Sequence, residues 1–212
     1  MVILMLVDVL KHAFEERKPI VKADLQKVLK IRNNNTLNQM ISHLVSFGVI
    51  RRYENGVYYI PISSKKFSHL KPSLGDVINK KYLDGHRGIK TGAQLLYKYK
   101  LTSQVSSYYE ILTNNVSPST RSKRLYDGKV IVSHPPFMIH KNNLYALEFL
   151  ELIRNLRFSD YGFELSIMRL RDIFKDLDLK REEIIDYSSY YSGKRYAGFR
   201  NLVMEILPDE VA

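Results

Sequence analysis

Two different hydrophobic periods follow one another between Lys22 and Ile60, and few folds accommodate that succession. Leu37, Met40, Ile41, Leu44 and Val45 recur at i, i+3, i+4, i+7 and i+8, the spacing of one apolar stripe on a helix. The opposite face carries Asn35, Asn38, Gln39, Ser42 and His43 rather than the Glu and Lys of an ordinary solvated face. Asn33, Asn34 and Asn35 stand where the helix begins, and any of them can accept from the free N–H groups of its first turn. Gly48 suits the left-handed residue that ends a helix. Two β-prone runs, Val49–Tyr53 and Val57–Ile60, then flank Glu54-Asn55-Gly56, and Asn-Gly between such runs predicts a hairpin. Leu25, Val28 and Leu29 give a shorter helix just upstream, so the order is helix, turn, helix, hairpin.

That order is the winged helix-turn-helix, which lays its second helix in the major groove of DNA. Asn and Gln can bond an adenine edge through two hydrogen bonds, and Ser can serve as donor or acceptor. The expected DNA-binding set is therefore Asn33, Asn34, Asn35, Asn38, Gln39, Ser42 and His43 for bases and the helix start. Lys22, Arg32, Arg51 and Arg52 are expected to hold phosphates. A dimeric arrangement on an inverted repeat is expected, so two copies on the operator.

Charge agrees with a polyanionic partner. The 212-residue chain has a net charge of +11, divided as +6 over residues 1–66, +7 over 67–156 and −2 over 157–212. Cysteine is absent, which excludes disulfides and thiolate metal sites and makes a cytoplasmic location the expectation. Met1–Val7 is apolar but interrupted by Asp8, too short to span a bilayer and without a basic leader; it reads as the start of a helix. No membrane association is expected.

The expected fold class is α+β: a winged helix over 1–62, a polar linker, then a mixed α/β domain over 67–212 with a helical part from about residue 158. Within the first domain, Val2, Leu6, Val9, Leu10, Ala13 and Phe14 predict a helix running to about Arg17 and stopped by Pro19. In the second, Pro72-Ser73 starts a helix continued by Leu74, Val77, Ile78 and Tyr82, and Gly85–Gly88 is a turn. Thr91 is placed to cap a helix reaching about Tyr99. Residues 107–113 read as a strand, and Asp127-Gly128 joins 122–126 to 129–133 in a hairpin. Asn142 or Asn143 caps a helix with Leu144, Leu147, Leu150 and Ile153 inward. Helices are expected over 164–175, 180–190 and 194–207.

Chemistry is sparse. Lys90-Thr91 follows glycines, but Ile89 stands where a phosphate cradle needs glycine. The six histidines fall at no ligand spacing, so no metal or cofactor is expected. Glu110, Asp127 and Lys129 are the residues that a nuclease reading would use, yet their spacing fits no known arrangement and the Asp-Gly turn explains Asp127. No catalytic residue is expected. Tyr187, Tyr190, Tyr191 and Tyr196 read as an amphipathic core edge before a partner surface.

Over most of residues 1–156 the chain resembles the AbiEi family of antitoxins, the regulatory half of bacterial AbiE abortive-infection systems. The resemblance rests on the N-terminal winged helix; on Phe67 through Leu70-Lys71-Pro72-Ser73; on Thr91-Gly92; on Leu101-Thr102-Ser103-Gln104-Val105; on Thr113-Asn114; and on the Asn143–Leu156 helix. Lys100 stands where the family usually has Gly, and Ser106 where it usually has Pro. The resemblance implies a transcriptional autorepressor that binds inverted repeats of its own promoter. It also implies an antitoxin that counters a nucleotidyltransferase-like toxin in phage defence without forming a stable complex with it. Thr91, Gly92, Leu101, Thr102, Gln104, Val105, Thr113 and Asn114 would then mark the antitoxin domain. Two other readings stand beside this one: a winged-helix regulator whose second domain senses a ligand or partner with no toxin, and an enzyme acting on nucleic acid.

Overall fold

The computed structural model describes residues 2–64, 66–119, 122–193 and 196–207, with only the backbone of residues 2–5. It is a mixed α+β chain with small sheets, and it divides into two compact units after Lys81.

The first unit runs α1 (Val2–Ala13), β1 (Ile20–Val21), α2 (Lys22–Leu29), α3 (Asn34–Ser46), β2 (Arg51–Glu54), β3 (Val57–Tyr59) and α4 (Leu74–Ile78). The strands form an antiparallel sheet in the order β1-β3-β2, with Ile20 opposite Tyr58 and Arg52 opposite Tyr58 on the other side. Strand β1 is too short to show a period in the sequence; its pairing with β3 defines it. Leu10, Ile20, Leu25, Leu37, Ile41, Leu44, Ile50, Tyr58 and Ile60 make one core. Burying each such side chain contributes roughly 1.5–3 kcal/mol before entropy.

Helix α1 ends at Ala13, earlier than the expected Arg17. Glu16 bridges Ile60, and the Arg17 N–H donates to the Ile60 carbonyl at 2.8 Å with φ +62°. Pairing with the chain after β3, rather than Pro19, therefore ends the helix. The side chain of Val2, the first residue of the expected stripe, lies outside the described set.

The segment 67–81, assigned by the sequence to the second domain, packs with the first unit. The Arg51 guanidinium donates to the Ser68 carbonyl at 2.6 Å, and Arg17 Nε to that of Lys71 at 3.0 Å. Lys80 meets Asp24 at 3.2 Å and Lys81 meets Glu54 at 2.7 Å. None of these long-range polar tethers has a sequence period. Ser73 caps α4 as expected, its Oγ accepting from the Asp76 N–H.

The second unit runs β4 (Gly88–Thr91), α5 (Ala93–Lys98), β5 (Tyr109–Thr113), β6 (Lys123–Leu125), β7 (Val130–Ser133), α6 (Leu144–Arg154), α7 (Phe163–Asp176), α8 (Arg181–Ser188) and α9 (Phe199–Ile206). Its sheet has the order β4-β5-β7-β6; β5 and β7 are parallel and the other pairs antiparallel. The Asp-Gly hairpin forms as expected, with Tyr126, Asp127 and Gly128 all at positive φ. Helix α6 is the centre of this unit: Ala146 through Ile153 are all buried, on every side of the helix. Ile89, Leu96, Leu147, Leu150, Leu170, Ile184 and Val203 pack in the same core.

Thr91 does not cap α5; it closes strand β4, and Gly92 holds the N-cap position with φ +64°. The reason is pairing: Gly88–Thr91 lies antiparallel to β5, opposite 110–113. Asn143 likewise makes no cap bond to α6; its side chain accepts from the His140 N–H and donates to the Met138 carbonyl. The three late helices form, the last beginning at Phe199; Lys194, its expected start, lies outside the described residues.

Candidate functional site

In α3, Leu37, Ile41 and Leu44 are buried, Met40 and Val45 are half-buried, and Asn34, Asn35, Asn38, Gln39, Ser42 and His43 are exposed. A 3.6-residue period turns those two sets to opposite sides. Of the three candidate caps, the structure selects Asn33: its Oδ1 accepts from the Asn35 N–H at 2.8 Å and the Thr36 N–H at 3.1 Å. Asn33 thus organises the start of the helix with its side chain and is engaged there. The side chains of Asn35, Asn38, Gln39 and Ser42 make no hydrogen bond among the described residues. Gly48 takes φ +68° one residue beyond the cap, and its N–H donates to the Val45 carbonyl, so the chain turns sharply into β2.

The cationic residues are placed unequally. Arg51 and Arg52 are neighbours on the edge strand β2 and point to opposite faces. Arg51 is exposed but anchored on the Ser68 carbonyl; Arg52 is exposed and lies over the Tyr58 ring, 5.8 Å from its centre. Arg32 is exposed in the turn between α2 and α3, whereas Lys22 is half-buried at the first position of α2, its N–H donating to the Gly56 carbonyl.

The residues marking the antitoxin resemblance fall into three groups. Thr113 and Asn114 brace loops: the Thr113 hydroxyl lies 2.9 Å from the Tyr82 carbonyl, and Asn114 exchanges two hydrogen bonds with the Ile139 backbone. Leu101 is fully buried and Thr102 nearly so; Gln104 and Val105 are exposed. That loop is held by Asp160, which accepts from the Thr102 hydroxyl at 2.9 Å and from the Ser103 N–H and hydroxyl at 2.5 and 2.8 Å. The Ser103 N–H and hydroxyl, with Thr102, hold the Asp160 carboxyl below its ordinary range.

The third group, Thr91 and Gly92, leads to a polar network that the sequence did not disclose. Glu151, on α6, is 1% exposed. Its Oε2 accepts from the Thr91 hydroxyl at 2.5 Å, from Arg154 Nε at 2.9 Å and from Arg154 Nη2; its Oε1 accepts from the Tyr191 hydroxyl at 3.0 Å. Burial opposes the charge on Arg154, but Glu151 together with the Tyr191 and Tyr196 phenols outweighs it and the pKa rises. Burial and Glu151 also push the Tyr191 phenol well up. One turn earlier Glu148 accepts from Lys98 and Tyr99.

Glu110, opposite Thr91 on β5, is different. It is half-buried, and no hydrogen-bond donor reaches its carboxylate among the described residues. Burial raises its pKa, Arg154 lowers it and Glu151 raises it, with a net rise. Gly92 lies directly beneath it: a Cβ there would fall 1.8 Å from Glu110 Oε2. The only sequence signal for this cluster was the pair Glu148 and Glu151 inside an otherwise apolar helix. Asp127 and Lys129, grouped with Glu110 in the nuclease reading, belong to the β6–β7 turn, where Asp127 is exposed with φ +54°. Among the described residues no three His, Asp or Glu side chains gather as a metal site, and no helix is long and apolar enough to cross a membrane. The chain matches no protein-family model, and no curated protein matches it.

Proposed function

We propose that the chain is a DNA-binding autorepressor whose α2, α3 and β2–β3 hairpin act as a winged helix-turn-helix. It also serves as the antitoxin of an AbiE-type pair, countering a nucleotidyltransferase-like toxin in bacterial phage defence. The observation that carries the DNA-binding half is the α3 face: Asn35, Asn38, Gln39 and Ser42 are exposed together, and their side chains make no hydrogen bond among the described residues. Neutral amides at this spacing suit base edges in a major groove, and two copies would span an inverted repeat. Arg32, exposed in the turn before α3, and Arg52, exposed on β2, are the phosphate contacts of this reading, while Arg51 is restrained by Ser68. The antitoxin half rests on the motif resemblance.

Co-expression with the neighbouring gene tests both halves. The full-length chain should restore growth and silence a reporter driven by its own promoter. The Gln39→Ala chain should lose silencing while keeping rescue. Loss of both together would contradict a division of labour. A second reading, a winged-helix regulator whose second domain senses a small ligand, is favoured by the cavity beside Glu110 and Arg154. Absence of a nucleotidyltransferase-like gene next to this one would favour it.

A further inference from the structure

The second unit has a cavity of about 480 Å³, open to solvent on one side, against the sheet, α6 and the chain after α8. That is the size of a small-molecule site, roughly 300–1,000 Å³. Its wall includes Glu110, Arg154, Ser133, His134, Tyr190 and Tyr196.

Two of these groups have unmet bonding capacity of known sign. Arg154 uses Nε and Nη2 on Glu151 and leaves Nη1 without a partner among the described residues. No donor reaches the Glu110 carboxylate among the described residues. Arg154 and Glu110 are near enough for one to act on the other's ionisation, yet they form no ion pair. Glu151 already answers the charge of Arg154, so the cavity wall offers one carboxylate without a donor, Glu110, and one open guanidinium donor, Arg154 Nη1. An anionic ligand would meet Glu110, a purely cationic one would leave Arg154 Nη1 without an acceptor, and an apolar one would desolvate both groups.

We propose that this cavity binds a free α-amino acid, its ammonium on Glu110 and its carboxylate on Arg154 Nη1. An α-amino acid carries both charges on neighbouring atoms and so can answer both walls at once. Tyr190, Tyr196, Ile131 and Pro136 complete the wall, and an aromatic or branched side chain can pack on them. Glu151, fixed by Thr91 and Tyr191, acts as a positioning residue that aims Arg154. The inference concerns the second unit alone and does not depend on DNA binding.

Calorimetric titration of the full-length protein with L-phenylalanine, L-tyrosine and L-leucine tests it. At least one should bind. N-acetylation of that amino acid, which removes the ammonium, and amidation, which removes the carboxylate, should each weaken binding by about tenfold or more. Glu110→Gln should weaken the free amino acid to the same degree while leaving the N-acetyl derivative unchanged. Because Glu110 has no hydrogen-bond partner among the described residues, this variant removes no structural bond seen there. No heat from any of the three, or equal binding of free and N-acetylated forms, would overturn the proposal. So would binding of guanosine, whose amide edge is uncharged, in their place.

Discussion

Helices α3 and α6 both carry polar side chains at helical spacing, and the fold treats them in opposite ways. On α3 the amides of Asn35, Asn38 and Gln39 face solvent with no partner among the described residues. On α6 both oxygens of Glu151 are taken up by Thr91, Arg154 and Tyr191, and Glu148 is held by Lys98 and Tyr99. Polarity alone therefore does not distinguish a binding surface from a structural network. The distinction lies in whether the hydrogen-bonding capacity is closed inside the fold or left open. By that criterion α3 is open, Glu151 is closed, and Glu110 and Arg154 Nη1 are open within an otherwise closed region.

The largest effect that sharpens this contrast is expected from Glu151→Ala. It leaves Arg154, Thr91 and the Tyr191 hydroxyl without their acceptor, and breaking a buried pair on one side costs roughly 3–5 kcal/mol. Arg154 keeps 30% side-chain exposure and can turn toward water, so the lower end, about 3 kcal/mol, is expected in urea unfolding. A loss below about 1 kcal/mol, the worth of an ordinary hydrogen bond, would show that the network is not a unit. Asn33→Ala tests the one amide of the α3 region that is internally engaged. It removes the acceptor for the Asn35 and Thr36 N–H groups and should cost about 1 kcal/mol, whereas Asn38→Ala should stay within about 0.5 kcal/mol.

Smaller effects run the other way. Lys100 has φ +58° at the end of α5, where a residue without a Cβ is favoured and where the resembled family usually has glycine. Lys100→Gly should stabilise by about 0.5–1 kcal/mol, seen as a higher unfolding midpoint. Glu110→Gln should show a pH signature. Burial holds the folded Glu110 pKa above its unfolded value, so the folded chain retains its proton more firmly. The stability from that proton is full below the unfolded pKa and is lost as pH rises through the folded pKa. The Gln variant should therefore melt higher than the native chain at about pH 7 and nearly with it at about pH 4. An equal gain at both would mean that Glu110 ionisation is not what burial opposes.

What the sequence disclosed was local. The α3 stripe, the Gly48 stop and the Asp-Gly turn at 127–128 depend on residues a few positions apart, and each forms as expected. Strands β1 and β4 depend on partners about twenty or more residues away in sequence, and neither is long enough to set a period. Thr91 followed by Gly92 and Ala93 looks like a helix cap until β5 pairs with it. Segment 67–81 is fixed to the first unit by charged and carbonyl contacts that carry no pattern. The exposed positions of α3 could be read from phase alone. Glu151 could not, because a glutamate at that spacing ordinarily marks a solvated face.

The central claim is that the open amides of α3 read bases. The most direct test is a titration of native, Gln39→Ala and Arg52→Ala proteins against the promoter upstream of this gene and a scrambled duplex, over a series of salt concentrations. Gln39→Ala should lose about 1–3 kcal/mol on the promoter and almost nothing on the scrambled duplex. Arg52→Ala should weaken both alike and flatten the salt dependence by about one unit of slope. Native protein that binds the two duplexes equally, or a Gln39→Ala change that leaves the difference between them intact, would contradict the account.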